Sequence, residues 1–162
     1  MKQLDKSLFL AIVILTLAIT ASAHFLGHSA VDNMEIRYGG STQYTTAQSH
    51  SFSTWNALGK VNIAPDTIWT YEDVTYGDYY DSSTNSAFAY YWYNPLGSDD
   101  IKFNQYRFDQ FTTSEQKKTA THELGHALGL NHSYYPNVMV QGQYSLTQLG
   151  SHDIQDYNTL YP

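Results

Sequence analysis

The sequence predicts a single α+β domain. Hydrophobic patterns along the 162 residues give the order strand, helix, several strands and then two helices. The chain length suits one domain, and neither an internal repeat nor a linker interrupts the pattern. We therefore expect one hydrophobic core that contains both helices and strands.

The strand and helix predictions follow from side-chain periodicity and from turn residues. Alternating or β-branched and aromatic runs predict strands at residues 34–38, 61–63, 68–76, 86–93 and 100–104. Helical spacing predicts a first helix at residues 46–58 and a last helix at residues 151–161, with Ser151 as its N-cap. Residues 113–116 read as a capping box for the helix between them. Residues 77–85 are polar and predict a loop.

The N-terminus has the pattern of a secretory signal peptide, residues 1–23. Lys2 and Lys6 form a basic region, residues 8–20 are almost entirely apolar, and residues 21–23 have the small-x-small form of a cleavage site. The apolar run is shorter than the ~20 residues needed to span a bilayer. We predict cleavage after Ala23, which leaves a domain of residues 24–162; an uncleaved anchor is the alternative.

Composition excludes several classes of partner. The formal net charge is −7 with histidine neutral, and the chain contains no cysteine. An acidic surface argues against nucleic acid or an anionic membrane as the partner. Because no disulfide can form within this chain, bound metal ions are an alternative source of stability for an exported protein.

The most informative stretch is residues 122–132, which read HExxHxxGxxH. On a helix, His122 and His126 lie one turn apart and project from one face, as two imidazoles must to reach one zinc ion. A straight helix would carry His132 roughly 15 Å along its axis. The chain must therefore turn after Gly129, since glycine permits a left-handed helix exit. The spacing predicts a zinc site made by a helix, a turn and a returning histidine.

Glu123 is the predicted catalytic residue. It follows the first predicted ligand, where its carboxylate can reach a zinc-bound water without occupying the metal. Zinc on three histidines keeps a fourth position for water and lowers the pKa of that water towards ~7. Glu123 would take the proton as the water attacks a peptide carbonyl and then deliver it to the leaving amine. A chance match to HExxH is the alternative, and Gly129 and His132 at their required offsets argue against it.

These residues carry every fixed position of the metzincin zinc-protease signature, and the chain resembles the matrixin branch of that clan. Ser133 follows the last histidine, and Met139 lies seven residues after it, where metzincins have their Met-turn. Weaker similarities to matrixin catalytic domains occur at residues 53–58, 100–104 and 151–161. Matrixins of this kind often use a cysteine switch for latency, which this chain cannot have because it has no cysteine.

The resemblance implies a metzincin fold, with a twisted, mixed and mostly parallel five-stranded sheet, one antiparallel edge strand and three helices. We predict residues 86–93 as the edge strand, which in such enzymes pairs with an extended substrate peptide. Residues 138–144 would then form one wall of the pocket for the side chain after the scissile bond.

We therefore predict a secreted, extracellular zinc endopeptidase with Glu123 as the catalytic residue and His122, His126 and His132 as the metal ligands. Its expected partner is a protein or peptide substrate, with no nucleic acid and, after signal cleavage, no membrane, and we expect a monomer. A secreted zinc-containing binding or adhesion module and a narrow-specificity toxin protease are the alternatives that the sequence leaves open.

Further metal sites are less clearly encoded. Loop carboxylates could bind calcium through oxygen ligands, the candidates being Asp78, Asp81, Asp99 and Asp100. No histidine–aspartate pattern of a matrixin structural zinc is recognisable. The other histidines are therefore interpreted as solvated surface residues: His24, His28, His50 and His152.

Overall fold

The computed structural model describes residues 24–162, so the predicted signal peptide lies outside the described residues. The strands are β1 (Glu35–Gly40), β2 (Asn62–Pro65), β3 (Val74–Tyr79), β4 (Ala89–Trp92) and β5 (Asp99–Asn104). The helices are α1 (Thr45–Asn56), α2 (Gln105–Phe108), α3 (Thr113–Ala127) and α4 (Ser151–Leu160). None of the helices in this part of the chain has the length and apolar character needed to cross a membrane.

The strands form one sheet in the order β2-β1-β3-β5-β4. β1 pairs in parallel with β2 and β3, and β3 pairs in parallel with β5. β4 pairs antiparallel with β5 and forms one edge of the sheet. The predicted α+β class, with its mostly parallel five-stranded sheet and antiparallel edge strand, is thereby confirmed. The edge strand is shorter than the predicted residues 86–93.

A buried tryptophan joins three of the helices. Trp55 of α1 is fully buried and donates its indole N–H to the carbonyl of Thr121 in α3, with a nitrogen-to-oxygen distance of 2.9 Å. Its ring also stacks on Tyr157 of α4, with the ring centroids 5.8 Å apart. Because α3 carries the HExxH residues, this contact fixes the position of the motif relative to both neighbouring helices.

The strand predicted at residues 68–76 is partly wrong. Trp69 is 86% exposed and lies in a turn that side-chain oxygens hold. The amide of Thr67 donates to the hydroxyl of Thr70 at 2.9 Å, and that hydroxyl donates to Asp66 at 2.5 Å. Such local bonds compete with a strand ladder. The strand therefore begins at Val74 and continues into the segment predicted as a loop.

Two helix boundaries and one helix differ from the predictions. Residues 24–162 contain four helices rather than three, because the Asn104 side chain caps a short helix, α2, by accepting the Tyr106 amide at 3.2 Å. The capping box of α3 lies one residue earlier than predicted. Thr112 accepts the Glu115 amide at 3.3 Å, and the Glu115 carboxylate accepts the Thr112 amide at 2.7 Å. Ser151 is the first residue of α4 rather than its N-cap.

Candidate metal centre and active-site cavity

The three histidines of the motif converge on one point. The Nε2 atoms of His126 and His132 are 3.2 Å apart, and one nitrogen from each of the rings of His122, His126 and His132 lies within 4.8 Å of the others. Two ligands of a tetrahedral zinc ion with bonds of about 2.0–2.1 Å are separated by about 3.3 Å. The donor set and its spacing therefore fit a zinc ion.

Backbone carbonyls hold two of these imidazoles by their other nitrogen. Nδ1 of His122 lies 3.0 Å from the Val138 carbonyl, and Nδ1 of His126 lies 2.8 Å from the Leu130 carbonyl. Nδ1 must carry the proton in both contacts, which leaves Nε2 unprotonated and available to a metal. Burial lowers the pKa of both rings, that of His126 to about 4, so both are neutral at pH 7.

The turn after α3 has the geometry of a Schellman motif. Gly129 has a φ of +85°, and its amide donates to the His126 carbonyl at 2.8 Å. The Leu130 amide donates to the Gly125 carbonyl at 3.0 Å. A β-carbon on residue 129 would lie 3.2 Å from the His28 carbonyl oxygen. Glycine is therefore required here both for the left-handed backbone and for the neighbouring chain.

The first described residues form a segment, residues 24–30, that supports this turn. The Asn131 amide donates to the His24 carbonyl at 2.8 Å, and the Leu26 amide donates to the Gly129 carbonyl at 2.9 Å. The Ala30 amide donates to the Ala127 carbonyl at 2.8 Å. The predictions assigned this segment no structural role. It carries too few periodic residues to predict a strand, and its bonds run to the end of α3.

Met139 lies in the turn after the three histidines, next to Gly125 of α3, at the sequence position predicted for a Met-turn. It is buried, and the Ser133 amide donates to its carbonyl at 2.9 Å. The Asp153 carboxylate of α4 accepts the Met139 amide at 3.2 Å and the Val138 amide at 2.6 Å. Since the Val138 carbonyl holds His122, this carboxylate fixes the turn and, through it, a candidate ligand.

Glu123 lies beside the histidines and is almost fully buried. Burial raises the pKa of its carboxyl to about 7, while the charge of Lys118 and the nearby Tyr91 amide lower it in part. A buried carboxylate with a pKa near neutrality is suited to accept and return a proton. The structure thus places the predicted catalytic residue next to the three predicted ligands.

Lys118 is a site residue that the sequence reasoning missed. It is 2% exposed, and its Nζ donates to the carbonyls of Val140 at 2.5 Å and Gly142 at 3.2 Å. Burial lowers the pKa of this ammonium group to about 8. The sequence could have indicated this role through the position of Lys118 four residues before His122, because that spacing places both side chains on one face of a helix.

A cavity of about 380 Å³ opens between α3 and the edge strand β4. His122, Glu123, His126 and His132 all line it. Ala89 and Tyr91 contribute from the β4 side, whereas Gln141 and Gly142 contribute from the segment after Met139. A side chain of a bound peptide can therefore enter this cavity and approach the histidines and Glu123.

One of the remaining histidines is not the solvated surface residue that was predicted. His152 is 3% exposed, and its Nε2 lies 2.9 Å from Nδ1 of His24. His28 and His50 are half-buried. The prediction is therefore wrong for His152, because helix α4 turns this residue towards the first described segment rather than towards solvent.

The predicted calcium-binding carboxylates have separate protein partners. Asp99 is buried and accepts hydrogen bonds from the Tyr91 hydroxyl and the Asn94 amide. The other pairs are Asp78 with Thr42, Asp81 with Ser83, and Asp100 with Lys102. Among residues 24–162, these aspartates are not part of any group of three or more side chains that could share a metal ion.

Comparisons with known proteins agree with this fold. A chain of a solved structure described as "GM1 bound form of the ECX AB5 holotoxin" is similar in fold, with a TM-score of 0.52 at 15% identity, and the match covers 79% of this chain and 80% of that one. No curated protein matches the sequence. The family model described as Matrixin, Peptidase_M10, matches residues 19–162. Since this match includes most of the sequence, the chain belongs to the matrixin family of peptidases.

Proposed function

We propose that the protein is a secreted zinc-dependent endopeptidase that hydrolyses peptide bonds in extended polypeptides. The observation that carries the proposal is the convergence of three imidazole nitrogens beside a buried carboxylate in an open cavity. Membership of a peptidase family supports the same reaction class.

His122, His126 and His132 are the proposed zinc ligands. Three protein ligands leave a tetrahedral ion one position for a reactant, whereas structural zinc sites are usually closed by four protein ligands. When bound, zinc would act as a Lewis acid and make water acidic enough to react near neutral pH. The carbonyls of Val138 and Leu130 would keep two of the rings oriented for this role.

Glu123 is the proposed general base and general acid. Its carboxylate would accept a proton from the water that attacks the peptide carbonyl carbon. The same carboxyl would then deliver that proton to the leaving nitrogen as the carbon–nitrogen bond breaks. Burial supports this role, because desolvation raises the pKa of this carboxyl above its ordinary value and so favours uptake of a proton.

The substrate would bind as an extended strand along β4. This strand lies at the edge of the sheet and also borders the cavity, so the backbone of a peptide could pair with it while one side chain enters the cavity. Residues 138–144 would form the opposite wall, where Lys118 already ties two carbonyls in place. Secretion after cleavage at Ala23, extracellular location and a monomeric state belong to the same proposal.

A digestion experiment tests the proposal. The purified protein should cleave casein or a peptide library with zinc present and should lose this activity when a chelator removes the metal. Glu123→Gln should keep the metal and lose nearly all turnover, because glutamine cannot accept the proton. Appreciable proteolysis by Glu123→Gln would contradict the proposed role of this residue.

The same digestion separates the two alternatives. A protein that cleaves neither casein nor the library with zinc bound would favour the binding module, and exposed aromatic side chains such as Trp69 and Tyr71 are then the surface to examine. Cleavage restricted to a single sequence would favour the narrow-specificity toxin protease. Structural calcium remains a prediction that calcium-dependent thermal stability would test.

A further inference from the structure

A second group of metal-ligating side chains lies outside the candidate active site. His24 belongs to the first described segment, whereas His152 and Asp156 lie on α4. The two α4 residues are four positions apart, so their side chains project from one face of the helix. His152 and Asp156 are 3% and 4% exposed, respectively.

The donor atoms of this group have the spacing of a zinc site. Nδ1 of His24 is 2.9 Å from Nε2 of His152 and 3.8 Å from Oδ2 of Asp156. Nε2 of His152 is 3.5 Å from the same Oδ2. These separations lie on both sides of the value of about 3.3 Å between two ligands of a tetrahedral zinc ion. We propose that His24, His152 and Asp156 bind a second zinc ion.

Neighbouring contacts hold the donors in place and leave an entry path. The ring of Tyr134 stacks on His152 with centroids 5.1 Å apart, and the Asn137 side chain accepts the His152 amide at 3.1 Å. The His24 side chain is 34% exposed, so an ion can reach the group from solvent. Two imidazoles and one carboxylate are ligands that zinc accepts.

The backbone of His24 offers a fourth donor under one condition. Its nitrogen lies 3.3 Å from Oδ2 of Asp156. If the proposed cleavage after Ala23 occurs, this nitrogen becomes an amino group that can join the coordination. The three side chains define the site whether or not cleavage occurs.

The second zinc would serve as an anchor for the first segment. This segment accepts the Asn131 amide through the His24 carbonyl and bonds to the Gly129 carbonyl through the Leu26 amide. An ion that joins His24 to α4 would therefore restrain the turn that leads to His132. Its effect on the candidate active site would be structural, since none of its ligands lines the cavity.

The zinc content of a variant that lacks the first site tests the proposal. His132→Ala removes a candidate ligand of the first site, and zinc per tag-free chain is measured by elemental mass spectrometry after removal of free metal. We expect one retained zinc in His132→Ala and none when His24→Ala is added. Adding His50→Ala instead should leave the one zinc in place, because His50 lies outside both groups. Equal zinc contents in His132→Ala and its His24→Ala double variant would overturn the proposal.

An isosteric variant gives a second measurement if the double variant folds poorly. Asp156→Asn in the His132→Ala protein should weaken zinc binding by at least about tenfold, since the carboxylate ligand is lost. Zinc should raise the Tm of His132→Ala by roughly 5–10 °C at about 100 times the Kd, and should raise it much less in the Asp156→Asn double variant. If zinc raises both Tm values equally, the cluster is only a hydrogen-bonded histidine pair.

Discussion

Gly125 and Met139 are in direct contact where α3 meets the turn that follows the three histidines of the candidate metal centre. A β-carbon on residue 125 would stand 2.4 Å from the sulfur of Met139 and 3.1 Å from Cζ2 of Trp55. Met139 is 1% exposed, so its sulfur is enclosed within the core. The glycine of α3 and the methionine of the turn therefore fit each other, and this contact sets how closely the turn approaches the helix.

The contact predicts that Gly125→Ala destabilises the protein. Overpacking a core costs about 1–3 kcal/mol, and this outweighs the gain of up to about 1 kcal/mol from replacing a helical glycine with alanine. In a Met139→Ala background the sulfur is absent and only Trp55 stays close, so the same change should be much less destabilising. Urea unfolding of the four proteins gives the coupling free energy, expected at about 1–3 kcal/mol. If the two changes in unfolding free energy simply add, the contact between Gly125 and Met139 contributes no coupling free energy, which would contradict the prediction.

A second prediction concerns Asp153, whose carboxylate accepts the amides of Val138, Met139 and Gly150. Asp153→Asn replaces one accepting oxygen with an N–H donor that faces other donors, so the free energy of unfolding should fall by about 1–3 kcal/mol. Chemical denaturation measures this loss. The control is Asp100→Asn, at a half-exposed pair with Lys102 that should contribute little. Equal losses in the two variants would contradict the role given to Asp153.

The active-site motif could be predicted because its spacing is local. His122 and His126 are fixed by the helical repeat, and Gly129 permits the turn that returns His132. The edge strand could be predicted through the family resemblance. Strand boundaries were less accurate, because the side chain of Thr70 bonds locally and keeps Ile68 and Trp69 in an exposed turn.

The rest of the site depends on contacts between distant parts of the chain. His24 and His152 are separated by 128 positions, and no periodicity relates them. Lys118 binds carbonyls more than twenty residues away. The sequence could not predict the burial of Lys118, because lysine is usually exposed in folded proteins.

A third prediction concerns Lys118 and substrate preference. Its ammonium group occupies the cavity wall and holds the carbonyls of Val140 and Gly142. Lys118→Met should remove the cation and loosen this wall, so cleavage before long apolar side chains should increase severalfold relative to cleavage before acidic ones. Sequencing the products of a proteome-derived peptide digest measures this ratio. Lys117→Met, at the adjacent position outside the cavity, is the control, and an unchanged ratio in Lys118→Met would contradict the prediction.

The last prediction concerns Glu123 and the pH dependence of stability in the zinc-stripped protein. The unfolded chain ionises this carboxyl near its ordinary pKa of 4.5, whereas burial raises the folded-state pKa to about 7. Between these values the folded protein binds more protons than the unfolded chain, so this group lowers the free energy of unfolding as pH rises. Above the folded-state pKa the full penalty, about 3 kcal/mol, is present.

Glu123→Gln isolates this contribution, because the neighbouring histidines titrate in both proteins. With a chelator present, urea unfolding at pH 5 and pH 7.5 should show that the variant gains about 2 kcal/mol relative to the wild type over this interval, since part of the penalty is already present at pH 5. The histidines act in the opposite direction, since their lowered pKa values remove stability as pH falls. The difference between the two proteins cancels their effect. Parallel pH profiles would mean that Glu123 ionises in the folded protein as readily as in the unfolded chain, and that burial does not tune it for proton transfer.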